Sequence, residues 1–153
     1  MKKVLIALDY GLSAQMIAEK GFELAKSMNA KVTLLHVVAD ESYYNSLDSE
    51  PFMGFYGYDF FNIDNNLSLI ESSINFLDKI KNHLKEGDIE IIAEQGDFPT
   101  VILDTAKRLH ATTIVIGSHS HNWLEKAVMG SVTESVLKNT KTPLFIIPIK
   151  EHK

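Results

Sequence analysis

The sequence predicts a doubly wound α/β fold: a three-layer, Rossmann-like sandwich with helices on both faces of a five-stranded, mainly parallel sheet. Three observations predict it. Short apolar runs without alternation, such as Val4-Leu5-Ile6-Ala7-Leu8 and Thr113-Ile114-Val115-Ile116, read as strands covered on both faces. Between them lie longer segments whose apolar residues recur at three- and four-residue steps, the period of a helix with one buried stripe. The two patterns alternate along all 153 residues with no second block of composition, which predicts a single domain over 1–153.

The elements follow in order. Val4 to Leu8 is the first strand, with Asp9 at its carboxyl end. From Ser13, read as the cap, a helix carries Ala14, Ile17, Ala18, Gly21, Leu24, Ala25 and Met28 on one stripe and ends at Asn29. Residues 32–38, Val-Thr-Leu-Leu-His-Val-Val, form a second strand, parallel to the first through a right-handed crossover. Leu67, Ile70, Ile74, Leu77, Ile80 and Leu84 predict a helix, and the turn Glu86-Gly87-Asp88 leads to a strand over 89–93. Asp97 and Pro99 suit the first turn of a helix bearing Val101, Ile102, Ala106 and Leu109. The strand ending at Gly117, a helix over 132–137 and a last strand over 143–148 complete the series.

Residues 39–66 break this rhythm and read as an irregular insertion. Its part from Tyr43 to Phe61 holds eight of the fourteen aromatic residues, together with Pro51, Gly54 and Gly57. A connection of this length is either a lid, an interaction surface or a mobile segment, or a short irregular helix whose aromatics patch the sheet edge.

Composition narrows the function classes. The net charge of −5, with Lys and Arg scattered along the chain, predicts no nucleic-acid or membrane partner. The absence of cysteine removes thiolate catalysis and thiolate metal sites. Asp9 ends the first apolar run too early for a signal peptide or a membrane span, and the expected location is cytoplasmic.

In an open parallel sheet, ligands bind beyond the carboxyl ends of the strands where the strand order reverses. Asp9, Val37 with Val38, and the run Gly117-Ser118-His119-Ser120 converge there, and Gly130-Ser131 opens the next helix. A helix start with backbone N–H groups and a hydroxyl is a cradle for negative oxygens. Asp9 reads as an acceptor for ribose or adenine donors or as a turn residue before Gly11, and His119 as a ligand contact or a solvated loop residue.

Ile6-Ala7-Leu8-Asp9, Leu34-Leu35-His36-Val37, Gly96-Asp97-Phe98-Pro99, and Ile116-Gly117-Ser118-His119 with Gly130-Ser131-Val132-Thr133 resemble the universal stress protein family over nearly the whole chain. The resemblance implies the adenine nucleotide alpha hydrolase-like form of the fold, dimers through the last strand, and a nucleotide-binding branch. That branch carries Gly, two residues, Gly, nine residues, then Gly and Ser or Thr. Here the spacing from Gly117 through Ser120 to Gly130-Ser131 is kept, and Ser120 replaces the middle glycine. If that position needs a positive φ, the side chain costs about 1–2 kcal/mol.

The resemblance assigns Asp9, Val37 and Ile116 to the adenosine end, and Gly117, His119, Ser120, Gly130, Ser131, Val132 and Thr133 to the ribose and phosphates. The implied ligand is ATP or AMP, with Mg or Mn carried by the nucleotide, in a stress-response sensor or regulator. The alternatives are a non-nucleotide-binding interaction protein that recruits a partner through residues 43–61, and a slow ATP hydrolase.

No catalytic or metal-binding residue is assigned. The sequence Gly-x-x-x-x-Gly-Lys-Ser/Thr is absent, so the phosphate loop of fast NTPases is missing. His119-x-His121 has no third ligand placed by sequence, and the serines near His119 have no orienting acid. Leu144, Phe145, Ile146 and Ile147 between Pro143 and Pro148 predict an apolar edge strand, covered by a second copy in a homodimer.

Overall fold

The computed structural model describes residues 1–9, 13–39, 51–52, 55–56, 68–86, 88–118 and 130–149. In chain order the elements are β1 (Lys3–Leu8), α1 (Ala14–Ser27), β2 (Lys31–Val38), β3 (Pro51–Phe52), β4 (Phe55–Tyr56), α2 (Leu69–Leu84), β5 (Ile89–Gln95), α3 (Phe98–Arg108), β6 (Thr113–Gly117), α4 (Ser131–Asn139) and β7 (Leu144–Ile147). Five strands make one sheet in the order β5-β2-β1-β6-β7, every neighbouring pair parallel. This is the doubly wound sandwich the apolar runs predict. β3 and β4 pair antiparallel inside the 39–66 stretch, and the rest of its aromatic part lies outside the described residues.

Strand alternation divides the core into two layers. Val4, Ile6 and Leu8 of β1, with Val32 and Leu34 of β2 and Val115 of β6, pack under α1 and α2. Leu5 of β1, Leu35 and Val37 of β2, and Ile114 and Ile116 of β6 pack under α3 and α4. Because both faces are covered, the central strands need apolar residues at successive positions, which is why they read as unbroken runs.

The helix ends follow their local chemistry, with one exception. Asp97 caps α3: its Oδ2 accepts from Thr100 N at 3.2 Å and from Thr100 Oγ1 at 2.6 Å, and Pro99 sits in the first turn. Ser68 caps α2 by accepting from Glu71 N at 3.1 Å, while Leu67 lies outside the described residues. Ser13 is the exception. It stands at the start of α1 with helical angles, φ −87° and ψ −3°, and its side chain makes no capping bond. Its carbonyl instead accepts from Ile17 N at 2.9 Å. Asn29 ends that helix region at φ 52°, the left-handed turn its side chain tolerates.

Cations scattered in sequence gather in space. The last turns of α1, α2, α3 and α4 carry Lys26, then Lys81, then Lys107 and Arg108, then Lys138. A parallel α/β fold brings all four helix C-termini to the end of the sheet where the strands begin, and the cations there face the negative ends of the helix dipoles. The opposite end, where the strands finish, holds the helix N-termini.

Candidate functional site

β1 and β6 are neighbours, joined from Val4↔Thr113 to Ile6↔Val115. From β1 the chain winds outward to β2 and β5, and from β6 it winds the other way to β7. The reversal therefore lies between the carboxyl ends of β1 and β6, the place where open α/β sheets receive ligands. Asp9, half-buried, follows β1, and Gly117 with Ser118 ends β6.

Two bonds hold the start of α4 against this end of β6. Gly130 N donates to the Ser118 carbonyl at 2.9 Å, and Thr133 Oγ1 donates to the Gly117 carbonyl at 2.8 Å. Gly130 is the N-cap residue, with extended angles of φ −63° and ψ 155°, and as glycine it brings no capping side chain. The backbone ladder of α4 begins with Glu134 N donating to Gly130 O at 2.9 Å, so the amides of Ser131, Val132 and Thr133 precede it. Ser131 is exposed at the first helical position. Glu134, an acid in that first turn, pairs with Lys138 one turn on, at 3.0 Å.

The apolar candidates are brought together on one side. Val37 and Ile116, both buried, belong to the layer under α3 and α4, and Val132 packs against the same cluster. Thr133 is buried, and its hydroxyl is turned to the Gly117 carbonyl. Gly117 has a packing reason to be glycine: a Cβ there would stand 2.6 Å from Ile149 Cδ1 and 2.7 Å from Ile17 Cδ1. His119 and Ser120 lie outside the described residues, as do Trp123 and Lys126 between the two halves of the motif.

The residue that reading by motif undervalues is Ser118. Its N–H donates to the Ile147 carbonyl at 2.9 Å, its Oγ accepts from Ile149 N at 2.9 Å, and its carbonyl receives Gly130 N. It ties β6 to β7 and to α4 at once. In the run Gly-Ser-His-Ser the motif leaves it an unassigned spacer position, and no local signal marks its structural role. Among the described residues, no three His, Asp or Glu side chains stand together as a metal site, and no helix is long and apolar enough to cross a membrane.

The sequence model of the universal stress protein family matches residues 1–148. The chain belongs to the universal stress protein family. Among curated relatives, it is 29% identical over 154 residues to universal stress protein MJ0531 of Methanocaldococcus jannaschii, covering 98% of this chain and 85% of that protein. It is 23% identical over 152 residues to universal stress protein A of Escherichia coli K12, covering 99% and 97%. Among solved structures, protein MJ0577 superposes with a TM-score of 0.73 at 26% identity, covering 99% of this chain and 98% of that one. A universal stress protein in complex with cAMP superposes with a TM-score of 0.63 at 18% identity, covering 95% and 96%, a likeness of fold.

Proposed function

We propose that this family member binds an adenine nucleotide, ATP or AMP, at the mouth between β1 and β6, and acts as a cytoplasmic sensor or regulator in a stress response. The observation that carries the reading is the start of α4. A helix opened by a residue without a side chain of its own to cap it offers first-turn amides and a positive dipole end to phosphate oxygens. It stands beside the switch point of the sheet, with an acid at the end of β1 and an apolar wall of Val37 and Ile116 within reach of a base. The motif spacing and the cAMP complex of a relative of the same fold support the same class of ligand.

The donors fit a nucleotide as a ligand held by backbone dipoles. Asp9 would take ribose or adenine donors, and Gly117, Gly130, Ser131, Val132 and Thr133 would surround ribose and phosphate, with His119 and Ser120 completing the loop. Any Mg or Mn would arrive with the nucleotide. The missing phosphate-loop lysine sequence favours sensing over rapid turnover.

Thermal melts with ATP, AMP and cAMP, each with magnesium, test this reading. A nucleotide at a hundred times its dissociation constant adds about 2.7 kcal/mol of stability, and Asp9→Ala should reduce the gain. No shift with any of the three at millimolar concentration overturns it.

The same reading includes a homodimer through β7. Among the described residues β7 has one strand neighbour, β6, and Phe145 on β7 and Leu137 on α4 are exposed. Pairing two such edges would cover both. Light scattering at micromolar concentration should give twice the 17.2 kDa of one chain, and the mass of a single chain overturns the dimer.

A further inference from the structure

We infer that Ser118 is a positioning residue of the candidate site: its hydroxyl takes the place of its own carbonyl in the ladder between β6 and β7, and the carbonyl so released holds the first turn of α4 at the mouth of the sheet. That the held turn serves phosphate rests on the nucleotide reading proposed above.

In a parallel pair, a residue facing its neighbour donates to the carbonyl before its register partner and accepts from the amide after it. β6 and β7 keep one register from Ile114↔Leu144 to Gly117↔Ile147, and Ile114 N donates to the Pro143 carbonyl at 2.9 Å. Continued by one residue, that register sets Ser118 opposite Pro148. The Ser118 N–H accordingly donates to the Ile147 carbonyl at 2.9 Å. The next rung of the ladder would run from Ile149 N to the Ser118 carbonyl. Ile149 N goes instead to Ser118 Oγ at 2.9 Å, and the Ser118 carbonyl takes Gly130 N at 2.9 Å.

Two successive carbonyls at the end of β6 therefore meet the start of α4. The Gly117 carbonyl accepts from Thr133 Oγ1 at 2.8 Å and the Ser118 carbonyl from Gly130 N, so the turn is held at its cap and again three residues on. Alanine at 118 supplies no second acceptor. Ile149 stands with Ile17 over Gly117 and packs on the core, so its amide loses its bond unless the carbonyl of residue 118 turns back toward β7. Gly130 N must then share that carbonyl or give it up, and the amides of Ser131, Val132 and Thr133 move with it. Threonine keeps the hydroxyl and suits the end of a strand.

NMR of the whole chain without nucleotide gives the first arm of the test. In the parent, a scalar coupling across the hydrogen bond should join Gly130 N to the Ser118 carbonyl carbon, with none from Ile149 N. In Ser118→Ala the Gly130 amide should exchange about fivefold faster, the equivalent of one hydrogen bond, and Ser118→Thr should restore its protection. Should the alanine variant fail to fold, the parent couplings decide. Titrations with ATP, AMP and adenosine give the second arm. Affinity for ATP and AMP should fall about fivefold in Ser118→Ala and return in Ser118→Thr, while adenosine, which has no phosphate, shows no such change. A merely structural loss would weaken all three ligands alike. A ladder coupling from Ile149 N in place of the Gly130 one, a Gly130 amide equally protected in Ser118→Ala, an unchanged affinity for ATP, or an equal loss for adenosine and AMP each overturns the inference. Should the parent bind none of the three, the nucleotide reading falls, and the Gly130 amide alone decides whether Ser118 holds α4.

Discussion

Global stability should fall by about 2 kcal/mol between pH 7.5 and pH 5, and by about 3 kcal/mol in total at pH 4.5. The source is His36, whose burial holds the ring neutral. Its folded pKa, about 3, lies below the ordinary 6.5 it regains on unfolding, so within that window the unfolded chain binds a proton that the native protein refuses. The contribution is fully present above pH 6.5, is lost as pH falls, and levels off near pH 3. Glu19 acts in the same direction at lower pH. The hydrogen bond from His83, followed by that from Gln15, holds its carboxyl below the usual value of 4.5, so its contribution is present above that value and fades as pH falls through the lowered one. Glu19 is largely exposed and its share is small. Urea unfolding at pH 7, 6, 5.5 and 5 separates the two, because carboxylates contribute little above pH 5. A flat midpoint over those four values would mean that His36 is solvated in the native protein.

Most of the fold was legible because its signals are local. Asp97, which caps Thr100 three residues on, and Pro99 in the first turn announce the start of α3, and Gly117 marks the end of β6. Ser13 was misread for a physical reason. A serine before an apolar helical stripe has the composition of a cap, but a cap needs extended backbone angles, and Ser13 is already helical. The gathering of Lys26, Lys81, Lys107 and Lys138 at one end is invisible along the chain, because only the parallel winding brings four helix C-termini together. At the candidate site the motif gives spacing but not commitment. Ser118 bonds to Ile147, Ile149 and Gly130, and the Thr133 hydroxyl to the Gly117 carbonyl, and neither set of bonds can be read from the spacing of the motif. Gly117 is glycine partly because Ile17 and Ile149, distant in sequence, close on it.

Gly21→Val should destabilise the protein by more than about 3 kcal/mol, above the usual range for a single overpacked position. Glycine in the interior of a helix normally costs about 1 kcal/mol relative to alanine, so its place in the middle of α1 needs a cause. The cause is the closeness of α1 to the two strands that flank the switch point. A Cβ at Gly21 would lie 2.7 Å from Ile6 Cδ1, 2.9 Å from Ile6 Cγ1 and 3.2 Å from Val115 Cγ1. Ile6 is on β1 and Val115 on β6, and both are fully buried. Alanine gains the helix preference, and Ile6 Cδ1 is the far end of a side chain that can rotate, so Gly21→Ala should cost at most about 2 kcal/mol. Valine adds two further carbons that cannot turn away from both strands, is stiff at χ1 in a helix, and must push α1 off the sheet. Urea midpoints of the two variants against the parent measure both costs, with an unchanged slope showing that the native state remains compact. A valine variant within about 1 kcal/mol of the parent would show that α1 rides on the sheet loosely enough to shift, so that the helix following Asp9 would not fix the geometry of the candidate site.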